Sequence, residues 1–192
     1  MIQNFSNQDI AVASKAAKLT WGNFYTRESA QIQKLIYEFM VKYYDLNRDF
    51  SFSAYDDEFK GFLLASKKDD NNNSFAYLET QVQKLTDSGE KKIALDLFDF
   101  LESCGQDVKE CMNHDDIMLG LFVSLQKGIG KKLLAKLGEK CIEQNIKKIY
   151  LWSDTTCDYD YYEKNGFKQI KKSAKELNGN IITTYVFCKN II

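Results

Sequence analysis

The stretch 117–152 constrains this chain more than any other. Residues 117–123 form an unbroken apolar run of the kind found in a buried strand. Gly128-Ile129-Gly130 follows at once, and Leu133, Leu134, Leu137 and Cys141 then share one face of a helix. Residues 146–152 read as the next strand. A strand, a glycine turn, a helix and a strand in immediate succession make this an α/β chain. The turn also carries chemistry. A helix opening directly from a strand leaves N–H groups unpaired at its start. Glycine lets a ligand approach that backbone, and the helix dipole favours an anion there, with phosphate the natural guest.

The charge distribution agrees. The chain has 192 residues and a net charge of -1. Between Lys127 and Lys148 lie seven lysines and two glutamates, a local +5, so the remainder sums to -6. Positive charge is therefore concentrated beside the glycine turn. The near-neutral total gives no reason to expect nucleic acid or a membrane as partner. Only two arginines are present, Arg27 and Arg48, which argues against extensive base readout. A single histidine, His114, excludes any site that needs two imidazoles. Five cysteines without a C-x-x-C pair read as reduced thiols, and no metal site is expected. The opening Met1-Ile2-Gln3-Asn4-Phe5 has neither region of a secretion signal, and no apolar run approaches the ~20 residues of a membrane span. A soluble, cytoplasmic protein is expected, monomeric or homodimeric.

Elsewhere the sequence alternates helix and strand. Residues 7–19 are alanine-rich behind a helix-start signal at Ser6. Ile32, Leu35, Ile36, Phe39, Met40 and Tyr43 mark an amphipathic helix. Residues 50–55 and 59–66 form a hairpin around Asp56-Asp57-Glu58. A polar loop at 69–74 leads into two helices between 75 and 111. After the glycine unit, residues 155–165 form a short helix that Asn165-Gly166 ends as a left-handed cap. Strands at 167–170 and 181–187 close the chain. With no repeat and no linker, one domain is expected: helices and hairpin in 1–75, a helical segment in 75–113, and the ligand-binding half in 115–192.

Two phosphate motifs are testable directly. The Walker pattern fails, because Leu125 stands where its first glycine belongs and Lys132 replaces Ser/Thr. The dinucleotide pattern G-x-G-x-x-G half matches: Leu133 occupies its third position, and Asp154 stands where a ribose-binding acid would. Fewer than forty residues follow Asp154, too few for the strands that a dinucleotide fold still requires.

A third pattern fits better. Leu121-Phe122-Val123, then Gln126-Lys127-Gly128-Ile129-Gly130-Lys131-Lys132, then Tyr162-Glu163-Lys164-Asn165-Gly166-Phe167 resemble, in order and spacing, the GNAT acetyltransferase superfamily. The resemblance is specific over about fifty residues and topological elsewhere. It implies a mostly antiparallel mixed sheet of six to seven strands with flanking helices and splayed central strands. It further implies an acetyl-CoA-dependent enzyme that moves an acetyl group to a primary amine, either a small molecule or a protein amino group.

By this resemblance, backbone N–H groups from Lys127, Gly128, Ile129, Gly130, Lys131 and Lys132 hold the pyrophosphate, with Gln126 at the loop entry. Leu121, Phe122 and Val123 pair with the pantetheine arm. Tyr162 protonates the departing thiolate. The family commonly has Asn seven residues before that Tyr; here Thr155 stands in its place, and Asp158 is the candidate substitute for its cofactor contact. Strict spacing puts Leu125, rather than Gln126, at the family's Gln/Arg position, and the usual proline-containing turn is shortened to Ser124-Leu125. For the base, Asp116 is the candidate from the His114-Asp115-Asp116 cluster, with a water chain as the other source. Trp21, Phe24, Tyr25, the 69–74 loop and the helices after it are expected to shape the acceptor site. The competing functional readings are a non-catalytic acyl-CoA-binding or regulatory domain of the same fold, a protein-interaction module docking through 75–111, and a dinucleotide-binding protein.

Overall fold

In the computed structural model, which describes residues 1–191 apart from the side chain of Phe24, the apolar run becomes strand β4, Ile117–Ser124. Its neighbour β3, Glu58–Lys67, is buried without a break from Gly61 to Ser66. Period-two alternation explains why. Phe62 and Leu64 point into a core on one face of the sheet, while Leu63 and Ala65 point into a second core on the other. The sheet has seven strands in the order β1-β2-β3-β4-β5-β7-β6. Strand β1 is Ile2–Asn4, β2 is Phe52–Asp56, β5 is Lys148–Asp154, β6 is Lys168–Leu177 and β7 is Asn180–Asn190. All pairings are antiparallel except that of β4 with β5.

Among the described residues six α-helices accompany the sheet. Helices α1, Ile10–Trp21, and α2, Ala30–Tyr44, lie on the face with Phe62 and Leu64. Helix α5, Ile129–Glu143, covers the other face through Leu133, Leu137 and Cys141. Helix α6, Asp160–Lys164, is a single short turn before β6.

Strands β3 and β4 are antiparallel neighbours, a relation usually served by a turn of a few residues. Here residues 68–116 intervene, and they hold helices α3, Ser74–Val82, and α4, Ser88–Lys109. The N-cap Asp87 accepts the Glu90 N–H at 2.9 Å, which fixes where α4 begins. Ala94, Leu97, Leu101, Cys104 and Val108 recur at helical spacing and are buried. Burying each leucine there contributes about 1.5–3 kcal/mol. Charge fastens the far end of α4 to β6. Lys171 Nζ lies 2.7 Å from Asp107 Oδ1 and 2.9 Å from Glu110, and Lys175 Nζ lies 2.7 Å from Asp107 Oδ2.

Two strands depart from the sequence reading. Strand β1 is too short and polar to show a pattern. Strand β6 runs on to Leu177, beyond the expected end at 170, through Lys171, Lys172 and Lys175. As an edge strand it needs no apolar alternation, and lysines are usual there.

Candidate active site

The glycine turn is built around one side chain. Ser124, the last residue of β4, donates its hydroxyl to the Gln126 carbonyl at 3.0 Å and accepts the Gly130 N–H at 3.0 Å. It thereby caps α5 from outside the helix. Gly128 turns the chain with φ 89°, a left-handed conformation that favours glycine. Leu125 N–H is tied to the Lys60 carbonyl at 2.9 Å.

This arrangement narrows the expected cradle. The Ile129 N–H goes to the Gln126 carbonyl, the Lys132 N–H to that of Gly128, and the Gly130 N–H to Ser124. The N–H groups of Gln126, Lys127, Gly128 and Lys131 have no acceptor among the described residues. Those four residues, with Asp158, line an open groove of about 620 Å³ along the turn. Ile129 is packed into the α5 core instead, and Lys132 does not line the groove.

Two further observations fit an anionic, phosphate-bearing cofactor in this groove. A Cβ built on Gly130 would come to 3.0 Å from both Phe122 Cζ and Tyr161 Oη, so a side chain there must push back two walls of the groove. The Tyr161 hydroxyl itself is buried without a partner among the described residues, a donor with nothing to donate to.

The central strands part beside this groove. Strands β4 and β5 pair only at Ile117 with Ile149 and at Met118 with Tyr150. A bulge begins immediately beyond: Leu64 faces Leu121 and Ala65 faces Leu119, so Gly120 is the extra residue. The gap leads into an inner cavity of about 110 Å³. Groove and cavity share Trp21, Phe122, Thr156, Cys157 and Tyr162 as walls. Leu121 lines the cavity as well, whereas Val123 is a core residue that lines neither space.

Tyr162 thus stands where the two spaces meet. Its position follows from the end of α6. The Phe167 N–H bonds the Tyr162 carbonyl at 3.0 Å, and the Gly166 N–H bonds that of Glu163 at 3.0 Å, with Gly166 at φ 84°. This is a Schellman cap, completed by packing of the Phe167 ring on Tyr162 at 5.8 Å. Burial raises the Tyr162 phenol above its ordinary pKa, so it holds its proton at neutral pH. Cys157 is also pushed up by burial and by the Asp154 charge, and the Trp21 indole N–H points at its sulfur from 3.4 Å. A protonated thiol is a poor nucleophile.

Asp116 is not part of this site. It is 2% exposed and accepts the Asn113 N–H at 2.8 Å and its Nδ2 at 3.2 Å, closing the turn before β4. At about 3.3 Å per strand residue it lies roughly 16 Å along β4 from Leu121, toward the end opposite Ser124. Its neighbour His114 pairs instead with Asp69 at 2.6 Å. The carboxylate that does line the cavity is Asp154, at the end of β5 and 6% exposed. Its Oδ1 accepts the Thr156 N–H at 2.7 Å and the Thr156 hydroxyl, which holds the 155–159 segment as a turn in place of the expected longer helix. The signal for Asp154 was its position at the end of the strand following the glycine helix. Trp21 and Tyr25 line the cavity as expected, but the 69–74 loop does not, and the side chain of Phe24 lies outside the described residues. Leu97, Phe100 and Leu101 of α4 supply the rest of that wall.

No protein-family model matches the sequence, and a search of curated proteins finds no match. Solved structures do match. The Ard1 protein from Thermoplasma volcanium aligns over 100% of this chain and 97% of its own, at TM-score 0.59 and 16% identity. An aminoglycoside 6'-N-acetyltransferase complexed with coenzyme A aligns over 100% and 97%, at TM-score 0.57 and 17% identity. The ribosomal-protein-S18-alanine N-acetyltransferase from Escherichia coli aligns over 100% and 93%, at TM-score 0.54 and 10% identity. These likenesses establish a shared fold.

Proposed function

We propose that this chain, which has the fold of the GCN5-related N-acetyltransferases, is an acetyl-CoA-dependent N-acetyltransferase acting on a primary amine. The observation that carries the reading is Tyr162 at the meeting point of a glycine-turn groove and an inner cavity, beside strands that have parted. Gln126, Lys127, Gly128 and Lys131 would receive the pyrophosphate on their backbone N–H groups, with the lysine charges favouring an anion. When bound, acetyl-CoA supplies the activated thioester.

The residues of the chain do the rest. Leu121 and Phe122 lie on the part of β4 that pairs with β3 but not with β5, and on that open side would offer backbone to an extended arm in the gap. Tyr162, a wall of both spaces with its phenol protonated, would give its proton to a departing thiolate. The apolar walls exclude water, which strengthens each polar contact inside. The five free cysteines suit a reducing cytosolic setting, where we place the protein.

Calorimetric titration with CoA, followed by an acceptor screen reading CoA release, tests the proposal. Saturable CoA binding with amine-dependent release is the expected result. Absence of binding at millimolar CoA overturns it, and binding without turnover on any amine reduces it to an acyl-CoA-binding domain.

A further inference from the structure

The inner cavity is unusual in what it lacks. Eight aromatic residues line it, and the polar tips of four of them, Trp21, Tyr37, Tyr44 and Trp152, are engaged within the protein. The Trp152 indole N–H goes to the Tyr44 hydroxyl at 3.0 Å, the Tyr37 hydroxyl to the Trp21 carbonyl at 3.0 Å, and the Trp21 indole N–H to Cys157. What these rings present to the cavity is therefore face and edge. Among the described residues no lysine or arginine lines it, and Asp154 is the one charged residue that does. Asp154 makes no ion pair among the described residues, and its Oδ2 carries no hydrogen bond among them. One unpaired carboxylate within aromatic walls is the chemistry that receives an organic ammonium group.

We propose that the cavity selects compact, predominantly apolar monoamines, alkylamines or arylalkylamines without a carboxylate, and holds their ammonium group against Asp154. This rests on the N-acetyltransferase reading and names its acceptor class. Size supports the compact limit. The cavity is about 110 Å³, and benzene occupies an apolar cavity of roughly 150 Å³. A short branched alkyl group fits directly, and a ring fits by extending to the junction at Tyr162. A polyamine or a polyhydroxylated amine would bury polar groups that these walls cannot satisfy. An amino acid would bring its carboxylate toward Asp154, a like-charge encounter.

The source of this selectivity is the inserted helix α4. Leu97, Phe100 and Leu101 close a side of the cavity, and the lysine clamp from β6 holds the helix in place.

Both tryptophans of the chain, Trp21 and Trp152, line the cavity, so intrinsic fluorescence reports on its contents. The experiment titrates 2-phenylethylamine, 3-methylbutylamine, phenylalanine, spermidine and an N-terminally free tetrapeptide into the full chain, with and without CoA. Acetylation of the same five is measured in parallel. Saturable fluorescence change with the two monoamines is expected, with phenylalanine at least about tenfold weaker. Asp154→Asn should weaken monoamine binding roughly 10- to 100-fold while CoA affinity stays unchanged, which also reports that the variant is folded. If that variant does not fold, the ratio of 2-phenylethylamine to phenylalanine in the natural chain decides alone. Equal or better binding or acetylation of phenylalanine, spermidine or the peptide overturns the inference and leaves the acetyltransferase reading intact. Monoamine binding without CoA binding does the reverse. No saturable change with either monoamine overturns the inference.

Discussion

The ring of Tyr44 occupies the space that a side chain on Gly120 would need: a Cβ built there would fall 2.2 Å from Tyr44 Cδ1. Tyr44 comes from α2, and its hydroxyl accepts the Trp152 indole N–H of β5. One aromatic side chain thus fills the bulge in β4 and ties the neighbouring strand across the gap. Gly120→Ala should cost about 1–3 kcal/mol by overpacking, read by urea denaturation. Tyr44→Phe should cost about 1–3 kcal/mol by leaving the Trp152 N–H unpaired. Tyr44→Ala combined with Gly120→Ala should cost less than the two changes summed, because the clash disappears with the ring.

The cradle makes its own prediction. Gly130→Val places carbon against Phe122, Tyr161 and Ser124, the side chains that shape the turn and its groove. CoA affinity should fall by at least about tenfold, an order set by loss of a hydrogen bond to a charged group, measured by calorimetry. Unchanged affinity would remove the glycine turn from cofactor binding.

Tyr162→Phe should lower kcat by ~10²–10⁴-fold and leave CoA affinity unchanged. Because burial raises the phenol pKa, the proton is retained as pH climbs past the ordinary tyrosine value of about 10. A falling alkaline limb assigned to Tyr162 below that value would contradict the buried site. The rate profiles of the natural chain and Tyr162→Phe, compared across alkaline pH, make the check.

Stability should follow the same sign. Burial raises Tyr44 and Tyr162, and it pushes Tyr37 up to about 12. The folded chain keeps these protons where the unfolded chain has already released them. Their contribution is complete below about pH 10 and is lost as pH rises through the folded values. Thermal unfolding at stepwise alkaline pH should show a steep loss beginning near there, accompanied by tyrosinate absorbance.

The clamp between α4 and β6 behaves oppositely. Burial opposes the Asp107 charge, but hydrogen bonds from Lys171 and Lys175 outweigh it and lower the pKa of the carboxyl. That contribution is present above the ordinary value of 3.8 and is lost as pH falls through the folded value. Asp107→Asn should cost about 1 kcal/mol or less, because solvent screens a partly exposed cluster. Urea denaturation at low and high salt should show the difference shrinking as salt rises.

The sequence disclosed the parts of the site that depend on backbone. Gly128 and Gly166 are both left-handed, and the spacing from Tyr162 to Phe167 is that of a helix cap, so local steric rules make them legible. Ser124 as the cap of α5 was not legible, because a lone serine at a strand end has no pattern. Asp116 misled because adjacency to a strand says nothing about which end of the strand faces the ligand. Asp154 was visible only as a residue at a strand terminus. Its isolation within aromatic walls arises from α1, α2 and α4 meeting in space, which no local spacing records. Helix α4 illustrates the same limit. Its apolar stripe announces a buried face, yet the stripe is shared between core and cavity wall.

The placement of residues 68–116 between paired strands has a consequence for how the chain reaches this structure. The central pairing of β3 with β4 is a distant contact in sequence, so its closure entropy precedes its reward. Strands β2 with β3 and β6 with β7 are hairpins, β4 and β5 are joined through the local helix α5, and α4 is a self-capped helix. Those local units are placed to form early, and the union of the two half-sheets is then the slow event. The bulge at Gly120 lies on that seam, and the gap and the cavity border the same stretch of β4, so the candidate active site would be completed only when the two half-sheets join.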